Sequence, residues 1–96
     1  MSLEKRAEKW GVKVVFSEME PEVEFEAKHV INHAFENRSN EQEMAEEVKK
    51  YMDKKFFGGW HVCCGRNFGL DVTHEEGSFL RATKGPLQFI IYRCSN

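Results

Sequence analysis

The chain has 96 residues and a mass of 11.2 kDa, about one small domain, because chains divide into units of roughly 100–150 residues. With 41% hydrophobic, 12% aromatic and 31% charged residues, it has too many large apolar side chains for disorder and too many charges for a membrane-embedded protein. The 14 basic and 16 acidic residues leave a formal charge of −2. That balance lacks the basic footprint of proteins that bind nucleic acids or anionic membranes, so neither is expected and protein partners are.

A chain this short buries only about 60–65% of the surface its unfolded form exposes, so support from a second subunit is expected from size alone. Three cysteines cannot pair completely, and the adjacent Cys63 and Cys64 are poorly placed for an ordinary disulfide, so reduced thiols in the cytosol are expected. No run approaches 18 apolar residues, and the start MSLEKRAEKW carries charges where a signal peptide would be apolar. Neither a membrane span nor export is expected.

Residues 1–11, rich in charge, read as a mobile N-terminal arm, and 12–96 as the domain. Val12, Val14, Val15 and Phe16 suit a short strand ending by Ser17. From Glu18 to Glu26 five glutamates alternate with Met19, Pro21, Val23 and Phe25, a pattern a half-buried strand would also show. A helix over about 21–38 is nevertheless expected. Pro21 favours a helix start, early glutamates complement the helix dipole, and Val23, Ala27, Val30, Ile31, Ala34 and Phe35 continue at helical spacing. Ser39 or Asn40 can cap a second helix, with Gln42 or Glu43 completing a capping box. Met44, Ala45, Val48, Tyr51, Met52 and Phe56 form its apolar stripe, and Gly58–Gly59 stops it. Beyond Trp60 the glycines punctuate four short strands, near 60–65, 68–74, 78–83 and 87–93. The fold class is therefore α+β, in the order β-α-α-β-β-β-β, with two helices packed on an antiparallel sheet.

His61, Cys63 and Cys64 are the strongest enzyme-like cluster, since a thiolate beside an imidazole is a nucleophile pair or half a metal site. On a strand, however, His61 and Cys63 share one face and Cys64 the other, so packing is the favoured reading and a thiol or metal-dependent enzyme the alternative. His29 and His33 lie four apart on the first helix without the carboxylate pattern of a helical zinc site. Gly65, Gly69 and Gly77 match no phosphate-binding fingerprint. No catalytic residue, metal ion or cofactor is expected.

The runs Asp53-Lys54-Lys55-Phe56, Trp60-His61, Gly65-Arg66-Asn67-Phe68-Gly69 and Val72-Thr73-His74-Glu75, in that order and spacing, resemble the small dynein light chain of the LC-eight type, a dimeric hub family. The resemblance extends over about residues 12–94. It implies a cytoplasmic, microtubule-associated dynein subunit that is not an enzyme. It also implies a strand-exchanged homodimer, in which the strand near Phe68–His74 reaches the partner's sheet. Each of two grooves then takes an extended peptide as an added strand, the partners being the dynein intermediate chain and other proteins with extended linear motifs. By the same resemblance the groove is walled by Arg66, Asn67, Phe68, Gly69, Leu70, Asp71, Val72, Thr73, His74, Phe79 and Arg81. Glu41 and Gln42 offer the free N–H groups of a helix start, and His61, Phe68 and Thr73 lie between subunits. Asp71, Arg81 and Thr83 stand where the family usually has tyrosines, and Gln42 where it often has lysine. A divergent paralogue with altered ligand preference is expected, or a dimeric scaffold that no longer binds peptide.

Overall fold

A computed structural model of the chain describes residues 9–66 and 76–94. Its elements run β1 (Lys13–Ser17), α1 (Pro21–Asn37), α2 (Glu41–Phe56), β2 (Trp60–Gly65), β3 (Leu80–Lys84) and β4 (Leu87–Arg93). The expected strand near 68–74 lies outside the described residues.

The ambiguous glutamate run is helical from Pro21, with Glu22 and Glu24 in the first turn, where their charge opposes the dipole. Helical period wins there because Ala27, Val30, Ile31 and Ala34 all reach the core. Asn40 caps α2: its Oδ1 accepts from the Glu43 N–H at 2.9 Å, and Glu43 Oε1 in return accepts from the Ser39 hydroxyl at 3.0 Å. Of the two candidate capping-box carboxamide and carboxylate partners, Glu43 is therefore the one used. Lys54 and Lys55 complement the far end of the dipole.

The strand expected near 78–83 begins at Leu80, because Ser78 is engaged with the end of β4. Its Oγ accepts from the Arg93 N–H at 3.1 Å and donates to the Arg93 carbonyl at 3.3 Å. Gly85, at φ +57°, makes the tight turn into β4, a conformation that favours glycine, and a Cβ placed on it would lie 3.1 Å from the Phe35 ring and press that ring aside. Pro86 sits in that turn, one residue before β4 starts at Leu87.

Neighbouring strands are all antiparallel in the order β1-β3-β4-β2. The register aligns Val14, Ala82, Phe89 and Cys64 in one row and Leu80, Ile91 and Val62 in the next. These rows pack with Ile31, Val48 and Met52 of the helices in the hydrophobic core, where Phe89, Ile31, Met52 and Leu80 are fully buried. The alternate rows, Arg81–Ile90–Cys63 and Thr83–Gln88–Gly65, take the opposite face. Ile90 on that face is fully buried although it is no part of the helix-side cluster. A bulge between Val14 and Phe16 shifts β1 by one residue and brings Phe16 opposite Arg81 on the same face. The Phe16 ring lies there beside Phe79, centroids 5.9 Å apart.

Candidate functional site

β2 and β1 are the two edges of the sheet, and they differ. The bulged β1 exposes Val15 and Phe16, an irregularity that discourages strand addition. β2 pairs with β4 in unbroken register from Trp60 to Gly65, and its other side has no strand partner among the described residues. A regular edge with open N–H and C=O groups is a template for an added strand.

What fixes this edge begins at the end of α2. Asp53 Oδ1 accepts from the Trp60 N–H at 3.1 Å, and its other oxygen takes the Lys49 ammonium at 2.5 Å. Burial alone would push the Asp53 carboxyl up, but the bonds from Lys49 and Trp60, with the charges of Lys49 and Arg93, hold it below its usual range. The Arg93 guanidinium lies over the Trp60 ring at 4.4 Å and donates to the Phe56 carbonyl. The Asp53 of the sequence motif thus sets where β2 starts. Arg93 does the same from the neighbouring strand β4, where it is the direct register partner of Trp60, a role sequence spacing could not have indicated.

Along β2, Trp60, Val62 and Cys64 pack on the core, while His61 stands exposed on the other face with its ring stacked on Tyr92, centroids 5.2 Å apart. Burial, and then the charge of Glu41, push the Cys64 thiol up to about 12, so it stays protonated and inert. That coupling places the start of α2 beside the Gly65 end of β2. There the Glu43 N–H is taken by the Asn40 side chain and the Met44 N–H by the Asn40 carbonyl. The N–H groups of Glu41 and Gln42 have no partner among the described residues, as a helix start requires. Arg66 follows directly, exposed, and lines a hollow with Thr83, Gln88 and the Gly85–Pro86 turn.

Glu41, Gln42 and Arg66 therefore gather at one end of β2. Phe79 and Arg81 do not join them: both are on the helix-free face, and the Arg81 row is separated from β2 by β4. Asn67, Phe68, Gly69, Leu70, Asp71, Val72, Thr73 and His74 lie outside the described residues. Sequence reasoning missed Gln88, Ile90 and Tyr92, which share the face of His61 and Cys63. The alternation of β4 carries that signal, masked because Phe89, Ile90 and Ile91 are all apolar.

The paired histidines of α1 part company. His29 lies between the Trp10 and Tyr51 rings, and His33 Nδ1 meets Glu47 Oε2 at 2.5 Å. Among the described residues no group of three histidine, cysteine or acidic side chains is arranged to hold a metal ion. Nor, among them, is any helix long and apolar enough to cross a membrane.

A sequence profile described as dynein light chain type 1 matches residues 11–94. Dynein light chain 1, cytoplasmic, of Candida glabrata is 37% identical over 77 residues, which span 80% of this chain and 90% of the relative. Human dynein axonemal light chain 4 is 37% identical over 81 residues, 82% of this chain and 77% of the relative. Among solved structures, the dynein light chain-like domain of a Fasciola hepatica calcium-binding protein superposes with a TM-score of 0.76 at 16% identity, covering 90% of this chain and 94% of that one, which supports the fold alone. The profile spans β1 to β4 and includes both the Asp53–Trp60 junction and the β2 edge, so the chain belongs to the dynein light chain family.

Proposed function

We propose that the chain is a non-enzymatic, homodimeric light chain of a cytoplasmic, microtubule-associated dynein motor, an adaptor that binds extended segments of partner proteins by β-strand addition. Residues 12–96 form the working domain, preceded by an arm over 1–11. The observation that carries the reading is the regular β2 edge, without a strand partner among the described residues, ending beside two N–H groups of α2 that have no partner among them either. Backbone hydrogen bonds along such an edge supply affinity, and a helix start receives a carbonyl or amide oxygen of the ligand. In the dimer a strand of the second copy, from the segment 67–75, would add to β2 and present its own free edge to the peptide. Arg66, Asn67, Phe68, Gly69, Leu70, Asp71, Val72, Thr73 and His74 would then run along the groove, while Phe79 and Arg81 stay on the helix-free face beyond β4. His61, Phe68 and Thr73 would lie between subunits. The dynein intermediate chain is the expected partner, with other proteins that carry extended motifs.

Against the competing thiol or metal-dependent enzyme, Cys64 packs on the core with its thiol pushed up to about 12, on the opposite face from His61 and Cys63. Sedimentation and peptide calorimetry test the proposal together. Twice the chain mass with saturable binding of a dynein intermediate-chain peptide is expected. A monomer at high concentration overturns it, and a dimer that binds no extended peptide leaves a scaffold without adaptor function. Asp71→Tyr should reorder preference across a peptide panel, since a charge desolvated in a groove discriminates between partners.

A further inference from the structure

The opposite end of α2 carries a second recess that the groove does not use. Phe57, just past the helix, adopts φ 72° and ψ 168°, a conformation that suits glycine, although Gly58 and Gly59 follow it. Its side chain is 85% exposed, more than any other large hydrophobic residue among the described ones. A folded chain gains nothing for its own core from an aromatic held outward on strained backbone. Beside it opens a cleft of about 400 Å³, within the size range of small-ligand sites, with Val23, Phe56 and Trp60 as apolar lining.

The charges around this cleft do not cancel. Lys55 is drawn to Glu26 at 3.7 Å and lies over the Tyr51 ring at 5.8 Å, while Arg93 lies over the Trp60 ring, donates to the Phe56 carbonyl and brings one positive charge to the cleft. Glu20 and Glu76 also line the cleft, and neither carboxylate has an ion-pair partner among the described residues. An apolar floor with two carboxylates against the single charge of Arg93, and an outward aromatic, complements a cation next to a bulky apolar group. Arginine suits it best, because its guanidinium can engage a carboxylate with two hydrogen bonds and stack on an aromatic face.

We propose that this cleft is a second docking site, for a partner segment that carries an arginine beside a large apolar side chain. The 16 residues of α2 separate it from the helix start at the β2 edge by about 24 Å, so one partner could engage both sites or two partners could bind at once.

The chain has two tryptophans, so Trp10→Phe leaves Trp60 as the reporter. In that background an acetylated and amidated tetrapeptide, glycine-phenylalanine-arginine-glycine, is titrated against Trp60 fluorescence, with a control in which glutamate replaces arginine. Saturable binding is expected, at least tenfold tighter for the arginine peptide and not competed by a groove peptide. Phe57→Gly and the double variant Glu20→Gln with Glu76→Gln should each weaken it about tenfold, the step that a lost charge-assisted or buried contact of 1.4 kcal/mol produces. Phe57→Gly should melt no lower than its parent, which separates lost binding from lost folding. No saturation up to about 1 mM, where specific sites become indistinguishable from weak association, would overturn the proposal. Equal binding of the control, or unchanged binding by Phe57→Gly, would overturn it too. Dissociation of the dimer by Phe57→Gly would instead assign the cleft to contact between copies, and the proposal would fall.

Discussion

On its helix side the sheet turns Leu80, Ala82, Phe89 and Ile91 toward Ile31, Val48 and Met52, whereas its other face carries Arg81, Thr83, Gln88, Tyr92, His61 and Cys63 and meets neither helix. The first face is closed by the chain's own apolar side chains. The second mixes polar, aromatic and titratable groups with the fully buried Ile90, a composition closer to an interface than to a core. One small chain thus gives one face of its sheet to its own core and sets polar and aromatic groups on the other. Mutations on the two faces should separate folding from association.

The largest effect is expected on the closed face. Phe89→Ala would leave a cavity beneath both helices at a cost of about 3–5 kcal/mol, a large part of the 5–15 kcal/mol that keeps a domain folded, and chemical denaturation should show a correspondingly lower midpoint. On the open face, His61→Lys places a permanent charge on the exposed imidazole position beside Tyr92. Sedimentation equilibrium should show self-association weakened at least tenfold, about 1.4 kcal/mol, with the melting of the diluted chain unchanged. If association survives, this face is not the one that meets the second copy.

The helix side has a polar seam of its own, which tests whether closure there is purely apolar. Glu47 joins α2 to the end of α1 through His33 and Arg38, each at 2.5 Å. Burial pushes its carboxyl up, but the hydrogen bonds from Arg38 and His33 outweigh that and leave it below its usual range. Glu47→Gln should cost about 1 kcal/mol, as a partly exposed ion-pair network does. The acid dependence has a definite sign. Carboxylates lowered in the folded state, Glu47 and Asp53, contribute in full above their unfolded values near 4, and that contribution disappears as pH falls through the lowered ones. Stability of the wild type should therefore decline below about pH 4, and that of Glu47→Gln should decline less over the same window in acid titrations followed by circular dichroism.

The smallest effect has the opposite sign. Phe57→Gly relieves a backbone strain of about 1–3 kcal/mol but frees the unfolded chain, for a net gain of about 0.5–1 kcal/mol visible as a higher melting temperature. A loss instead would mean that the exposed ring packs in solution.

Much of this was legible before any coordinates. Pro21, the Asn40–Glu43 pair, Gly58–Gly59 and Gly85 mark element ends through backbone chemistry that depends on few neighbours, so both helices and the bounds of β2 and β4 agree closely with expectation. The alternation of Glu18–Glu26 misleads only in isolation, because a nine-residue window cannot weigh the helical spacing that continues to Phe35. The gathering of Glu41 and Gln42 near Arg66 was reachable through the family resemblance, whereas the separation of Phe79 and Arg81 from them was not, since strand order is invisible to local pattern.

By itself the sequence determined the α+β class, the places where elements start and stop, and membership of the dynein light chain family, because propensity, capping and rare residues at set spacing act over short distances. Only the tertiary structure decided that β1 is a bulged edge while β2 has no further strand partner among the described residues, that Asp53 and Arg93 converge on Trp60, and that Lys55 is paired while Glu20 and Glu76 have no ion-pair partner among those residues. Those facts depend on which side chains, distant in sequence, compete for the same partner, and that competition has an outcome only when the strands have been ordered and the helices laid across them.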